Sequence, residues 1–505
     1  MKILLRCDGS PQLGVGHVVR AIALAEEAVA RGHTVSLLGR VEGTLLESLV
    51  EGVGPRLTLV GPEVGSRPFT EVALEHDVVH VDHYGLGPEV LDEVAAAAGS
   101  GGVDRPLLSV MADGEFGARP ADVLIDPTVG AELDEPPARA RWHLRGARFT
   151  PLRAAVTDAA RSADGAVSTS GDLAVLVVMG GTDPTGCTPL VVEALGRVGP
   201  ALDVTVVSAP ATEAALLALA DTWPAGRLRV TPPVPGLPRL MAAAEVTLTA
   251  AGTSTWELCA LRRAMALVAT VENQRLGHDR VVAAGAAVGL GGRDEVSDVE
   301  RTAARLRPLL TDADLRERLA AAAHRLVDGH GAWRVVGAWE AARSASAPRV
   351  DAPAVTVRPA TVDDARALWE WRNDPATRAA SRHHSLVPLE DHLTWLRATL
   401  QRDDRHLLIG SLDGADVGTI RWDLEGDREW EVSITVGGES RGRGMAGALL
   451  RAGEQWLAGV TDVRAYLASV HTANEPSRRV FVSGGYAPDH PPDGAGFERW
   501  VRTVR

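Results

Sequence analysis

The sequence predicts two doubly wound α/β domains in tandem, followed by a smaller α+β domain. Three observations predict it. A chain of 505 residues exceeds what one hydrophobic core holds. Short, almost continuously apolar runs alternate with amphipathic segments up to about residue 340, as in parallel sheets covered on both faces. Beyond residue 355 the order changes to strand, two helices, hairpin, strand and helix, which suits a largely antiparallel sheet.

Taken in order, "KILLRC" reads as the first strand, "HVVRAIALAEEAVARG" as a helix closed by Gly32, and "TVSLLG" as the next strand. "DVVHVDHYG" is a strand that ends in a polar cluster. The second piece repeats the scheme with "LAVLVVMGG", "DVTVVSA", "AEVTLTAAG" and "AMALVAT", each followed by a helical pattern. In the third, "AVTVRPA" is a strand, while "DDARALWEWRND" and "LEDHLTWLRATL" are helices. "HLLIGSLDGADVGTIRWDL" is a hairpin turning at Asp413-Gly414, "EWEVSITV" a strand and "GMAGALLRAGEQWLAG" a helix. Stretches rich in small and polar residues, Ala159–Asp172 and Ala342–Ala354, read as linkers. The expected domains are therefore 1–160, 161–341 and 355–505, with 342–354 as a spacer.

Composition narrows the function classes. The net charge of −14 argues against general affinity for nucleic acid or anionic lipid, although it permits a local anion site. Lys2 is the only lysine, so the cationic side chains are almost all arginine. Cys7, Cys187 and Cys259 match no metal or redox spacing, and a reducing cytoplasm is expected. No apolar run of about 20 residues is present to span a bilayer, and the opening strand does not read as a signal peptide. No metal is expected, and the clustered His76, His80 and His83 read as packing or surface residues.

The loop "GSPQLGVGH" joins the first strand to the first helix. Its glycines let backbone approach a ligand, and the helix start offers N–H groups and a positive dipole end to a diphosphate. By itself His17 reads as a helix-start residue. "TAAGTSTWELCALRRA" opens another helix after a strand, where Glu257 is suited either to a ribose or to a solvated first turn. In "VENQRLGHDR", Asn273 and Gln274 occupy a loop and are suited to capping as well as to binding.

Together with "VDHYGL", "LRGARFTPLR", "VVMGGTDP" and "VDGHGAWRVV", these segments lie in one order through residues 1 to about 340. In that order they resemble the UDP-sugar hydrolases of pseudaminic acid biosynthesis. That family releases UDP from UDP-2,4-diacetamido-2,4,6-trideoxy-β-L-altropyranose and is related to the peptidoglycan UDP-GlcNAc transferase of GT-B fold. The resemblance implies two Rossmann-like domains with a ligand cleft between them. It makes His17 the base that activates water for an inverting attack on the anomeric carbon, because imidazoles titrate near neutrality. UDP is already a stable leaving group, so a second carboxylic acid is dispensable. The resemblance also places Asp8, Ser10, Gly14, Gly16 and Arg20 on the substrate loop, and Asp82 and Tyr84 at the neighbouring strand end. Gly252, Thr253, Ser254 and Glu257 match its uridine-diphosphate motif, with Asn273 and Gln274 beside the sugar. "LIDP" (Leu124–Pro127) departs from the family, which has an asparagine-containing strand end there.

In the third domain "VGGESRGRGMAGALL" follows a strand and starts a helix, and "HTANEPSRRVFVSGGY" lies downstream. Both resemble the GNAT acetyltransferases, and "WRND" with "EDHLTWL" resembles the subgroup that acts on nucleotide-linked amino sugars. The resemblance implies acetyl-CoA as co-substrate, its diphosphate held at Arg441, Gly442, Arg443, Gly444 and Ala446, with Asn474 and Ser477 near it. Acetyl transfer requires an uncharged amine, so a base is needed. Glu431 is the first candidate, with Glu429 behind it, and both equally suit an exposed strand pair. Many relatives carry a tyrosine acid where this chain has Phe481, which leaves Tyr486 or Ser477 as replacements, or no acid at all.

The expected function is thus N-acetylation of a UDP-linked amino sugar and hydrolytic release of UDP from the diacetamido product. A UDP-sugar glycosyltransferase fused to an acetyltransferase is the alternative, since one fold serves both reactions. A non-catalytic nucleotide-sugar scaffold is the third reading.

Overall fold

The computed structural model describes the chain apart from residues 11–14, 62–67, 84, 97–104, 113–118, 135–139, 164–171, 181–182, 184, 199–200, 225, 235, 345–352 and 505. It divides into two compact units, Met1–Trp339 and Glu340–Arg505. Gly14, Tyr84 and most of both expected linkers lie outside the described residues. The helices Ala154–Ala163 and Gly331–Ser344 run into the first residues of those linkers.

The first unit holds two all-parallel, Rossmann-like sheets. In the first, β1 (Lys2–Arg6), β2 (Thr34–Leu38), β3 (Leu57–Val60), β4 (Val78–Val81), β5 (Leu107–Met111), β6 (Val123–Asp126) and β7 (Trp142–Arg145) take the order β3-β2-β1-β4-β5-β6-β7. In the second, β8 (Leu173–Val178), β9 (Leu202–Val207), β10 (Gly226–Thr231), β11 (Val246–Ala250), β12 (Ala264–Ala269) and β13 (Val288–Gly292) take the order β10-β9-β8-β11-β12-β13. Helices cover both faces, so every residue of β4, β11 and β12 is buried. That is why these strands read as unbroken apolar runs. The strand order reverses between β1 and β4 and between β8 and β11, and ligands of open α/β sheets bind at the carboxyl ends of such strands.

The helix Gly331–Ser344 ties the end of this unit back to the first sheet. Trp339 is fully buried, and its indole N–H donates to Ser109 Oγ at 2.9 Å. Ser109 also meets His80 Nδ1 at 3.0 Å, and the His80 ring lies 5.3 Å from that of Trp339. Burial holds His80 down at about 4. An unfolded chain, with an ordinary imidazole, takes up a proton at higher pH than the folded one. Stability is therefore lost as pH falls from about 6.5 to about 4, by up to about 3 kcal/mol. Thermal melts of wild type and His80→Asn at pH 7 and pH 5 check this. The variant should show the smaller difference.

The second unit is an α+β domain on one mixed sheet. Its strands β14 (Thr356–Pro359), β15 (Arg405–Leu412), β16 (Ala415–Gly426), β17 (Glu429–Val436), β18 (Ala465–His471), β19 (Ala487–His490) and β20 (Phe497–Thr503) take the order β14-β15-β16-β17-β18-β20-β19. Among the described residues only β17 and β18 pair in parallel in this sheet; the remaining pairings are antiparallel. The β15–β16 turn sits at Asp413 (φ 51°) and Gly414 (φ 80°), two left-handed residues as a twisted two-residue hairpin requires. Among the described residues no helix is long and apolar enough to cross a membrane.

Candidate active sites

In the first unit the candidate site grows from the two switch points. The amphipathic helix Gly16–Ala30 follows β1, and Asp82 directly follows β4, its N–H bonded to Arg6 O at 2.9 Å. Adjacency of β1 and β4 brings His17 and Asp82 together across 65 residues, with His17 Nδ1 2.8 Å from Asp82 Oδ1. Arg20, one helical turn beyond His17, donates from Nε to Asp82 Oδ2 (3.0 Å) and from Nη2 to Oδ1 (2.9 Å). Asp82 is 1 % exposed. Burial alone would raise its carboxyl, but Arg20 and then His17 outweigh that and hold it at about 2. His17 Nδ1 thus faces the Asp82 carboxylate at 2.8 Å, which only accepts, and Arg20 Nη2 at 3.0 Å, which only donates; the shorter carboxylate contact favours the proton on Nδ1 and the lone pair on Nε2.

Asp8 lies in a separate cluster. Its carboxylate accepts from Arg6 (2.5 Å) and from the Arg40 backbone N–H (2.9 Å), and meets His83 Nε2 at 2.7 Å. Burial opposes ionisation, but these contacts, led by Arg6, hold Asp8 well below the usual carboxylate range. Ser10 is buried nearby, at the end of the bridged stretch that follows β1. His76 turns instead to Val72 O and Ser36 Oγ, so the three neighbouring histidines have different surroundings. Among the described residues no group of three metal-binding side chains comes together.

The second switch point adjoins the first. A Cβ on Gly16 would stand 3.6 Å from Thr253 Cγ2, at the start of the helix Thr253–Ala260. Gly252 precedes this helix, Ser254 sits in its first turn, and Gln274 Nε2 lies 3.5 Å from where a Gly252 Cβ would be. Gln274 Oε1 accepts from the backbone and hydroxyl of Thr270 (3.0 and 3.1 Å), which fixes this amide, whereas Asn273 is exposed. Arg20, Thr253, Trp256 and Glu257 line one cleft with Arg153. Glu257 is not a solvated first-turn acid. It is 6 % exposed, accepts from Arg153 Nη2 at 3.3 Å, and burial pushes its carboxyl above the ordinary range. Arg153 and Trp256 are cleft residues that the sequence reading missed, although they stand in the quoted "LRGARFTPLR" and "TAAGTSTWELCALRRA".

In the second unit β17 runs into a tight turn, the loop Arg441–Gly444 and the helix Met445–Val460. Gly442 (φ 74°) and Gly444 (φ 79°) are left-handed, and no atom lies within 4 Å of where a Gly442 Cβ would be. Ala448 N–H bonds Gly444 O at 3.3 Å, so the amides of Met445, Ala446 and Gly447 form the open helix start, with Arg443 in the loop before it. The Arg441 side chain turns the other way, to Asp374 Oδ1 (2.7 Å) and Thr377 Oγ1 (2.9 Å). β17 and β18 pair only over Glu429–Val432 and Ala465–Ala468 and part beyond. Glu431 is half-buried within the paired stretch, opposite Asp423 of β16, while Glu429 pairs with Arg464 at 2.6 Å. Asn474 caps the helix Glu475–Ser483 by accepting from Ser477 N–H at 3.2 Å. Tyr486 is fully buried and donates to Glu454 Oε1 at 2.7 Å, which removes its hydroxyl from any open face.

Residues 354–487 match the acetyltransferase (GNAT) domain family. No curated protein matches the chain. Among solved structures, the aminoglycoside acetyltransferase AAC(6')-Ib in complex with coenzyme A is 19% identical, with a TM-score of 0.27, and the match covers 30% of this chain and 94% of that one. Spermidine N-acetyltransferase from Vibrio cholerae, in complex with CoA and spermine, is 12% identical with a TM-score of 0.28, covering 30% of this chain and 95% of that one. Ribosomal-protein-alanine N-acetyltransferase from Brucella melitensis is 24% identical with a TM-score of 0.27, covering 29% and 99%. Residues 354–487 are therefore a GNAT acetyltransferase domain, which follows two Rossmann-like parallel α/β sheets in the chain.

Proposed function

We propose that the chain is a bifunctional nucleotide-sugar enzyme of nonulosonic acid biosynthesis. Its acetyltransferase domain acetylates the amine of a UDP-linked amino sugar, and its first unit hydrolyses the diacetamido product to UDP and free sugar. The observation that carries the hydrolytic half is the His17–Asp82–Arg20 constellation at the β1/β4 switch point, directly beside Thr253 and Glu257 at the second. With its Nδ1 proton held by Asp82, His17 accepts a proton from water at Nε2. The water oxygen bonds to the anomeric carbon, the bond from that carbon to the phosphate oxygen breaks, and UDP departs with the electron pair. The helix starting at Thr253 offers amide N–H groups and its positive end to the diphosphate. The test is UDP release from a UDP-linked 2,4-diacetamido sugar with no acceptor present. Release supports hydrolysis, and release only after an acceptor is added makes the unit a glycosyltransferase.

Acetyl-CoA supplies the acetyl group as a thioester. The amides at Gly442–Ala446 suit its diphosphate, and the gap where β17 leaves β18 suits its extended arm. Glu431 is proposed to take the proton of the attacking amine. Valine at Gly442 or Gly444 is expected to raise KM for acetyl-CoA roughly tenfold, because a β-branched residue strains at positive φ. Initial rates against acetyl-CoA concentration check it, with UDP release unchanged.

A further inference from the structure

In the acetyltransferase unit, the segment between the helices Ala365–Asn373 and Leu389–Thr399 holds two arginines, Arg372 and Arg378, through main-chain carbonyls. Arg372 Nη2 donates to His383 O at 3.0 Å. Arg378 donates from Nε to Asn373 O (3.2 Å) and from Nη1 to His384 O (2.9 Å). Among the described residues neither forms an ion pair, whereas the nearby Arg366, Arg382 and Arg441 pair with Glu370, Asp493 and Asp374. Arg372 Nη1 is buried with no hydrogen-bond partner, and so is Nε2 of His392, which is 4 % exposed on the second helix.

The segment is braced. Val387 O accepts from Trp369 Nε1 (2.7 Å) and Asn373 Nδ2 (2.8 Å), and Val387 N–H donates to Asn373 Oδ1 (2.8 Å). It also abuts the glycine-rich loop, since Thr377 accepts from Arg441. Burial and then Arg378 push the Arg372 guanidinium below its ordinary range, and burial and then Arg372 do the same to His392. Two like charges held by carbonyls, with donors unused, are an unfavourable arrangement that a bound anion relieves. Guanidinium forks match phosphate oxygens bidentately.

We propose that Arg372 and Arg378 form a phosphate site that receives the diphosphate of the acetyl acceptor. This rests on the reading of the acceptor as a nucleotide-linked amino sugar. The site itself is tested on the full chain by equilibrium dialysis with radiolabelled pyrophosphate. Arg372→Gln/Arg378→Gln should bind one equivalent fewer than wild type, while the double lysine variant retains it, all three having the same circular dichroism. Equal stoichiometry in all three overturns the site. Should the double glutamine variant fail to fold, Arg378→Gln alone is read in the same way.

Kinetics then separate the two sources of phosphate. For a UDP-linked amino sugar the glutamine variant should raise KM roughly 10- to 100-fold, with KM for acetyl-CoA unchanged. A rise in KM for acetyl-CoA instead assigns the arginines to the cofactor's phosphates and overturns the acceptor assignment. If wild type acetylates no UDP-linked amine, the proposed substrate falls, while the dialysis still decides the phosphate site.

Discussion

Replacing His17 by alanine is expected to lower the rate of UDP release roughly 100- to 10,000-fold, the range that a positioned general base contributes. The loss should appear in kcat, because the imidazole acts on water, while KM for the UDP-sugar changes little. Acetyl transfer in the same preparation should continue, which separates loss of chemistry from loss of fold. Asp82→Asn sharpens the test. An amide keeps the size of Asp82 but removes the negative charge that faces His17 and Arg20. Its rate should fall as well, together with some stability. UDP release at the wild-type rate in His17→Ala would remove this residue from the chemistry.

The second large effect is structural. Arg334 is fully buried, donates to both oxygens of Asp328 (2.7 and 2.5 Å) and donates to Arg148 O at 2.7 Å. It thereby fastens the closing helix of the first unit to the short turn after β7. Burial would raise the Asp328 carboxyl, yet the contacts with Arg334 hold it well below the ordinary range. Arg334→Met should destabilise this unit by about 1.5–3 kcal/mol, since it removes a fully buried guanidinium whose hydrogen bonds satisfy the half-buried Asp328 carboxylate and Arg148 O. Calorimetry checks this through a lower melting temperature of the first unit, with the transition of the second unchanged. The sign with pH follows from the depressed carboxyl. The pair's contribution is present above about pH 4 and is lost as pH falls. The gap between wild type and variant should therefore narrow in acid.

Much of this molecule was legible in the chain because burial leaves a periodic trace. β8, β11 and β12, covered on both faces, read as apolar runs, and the hairpin announced itself through Asp413-Gly414. The edge strands β3 and β10, largely open to solvent, carry no such trace and emerged only in the structure. The glycine-rich loops were equally local. Gly442 and Gly444 stand where the backbone turns left-handed, a requirement that composition alone expresses.

The partners of the polar residues were not legible. Asp8 and Asp82 looked alike as acids at strand ends, yet one closes on Arg6 and His83 while the other orients His17. Asn474 turned out to satisfy the amide of Ser477, and Glu257 to be enclosed with Arg153, which lies 104 residues away. The sequence by itself determined part of the core, among it the strands β1, β2, β4, β8, β9, β11 and β12 but not the buried β5, and that a histidine and two glycine-rich turns stand at strand ends. Only the tertiary structure decided which charge faces which, because local periodicity reports how deeply a segment is buried, whereas ion pairing depends on the order in which distant strands come to lie side by side.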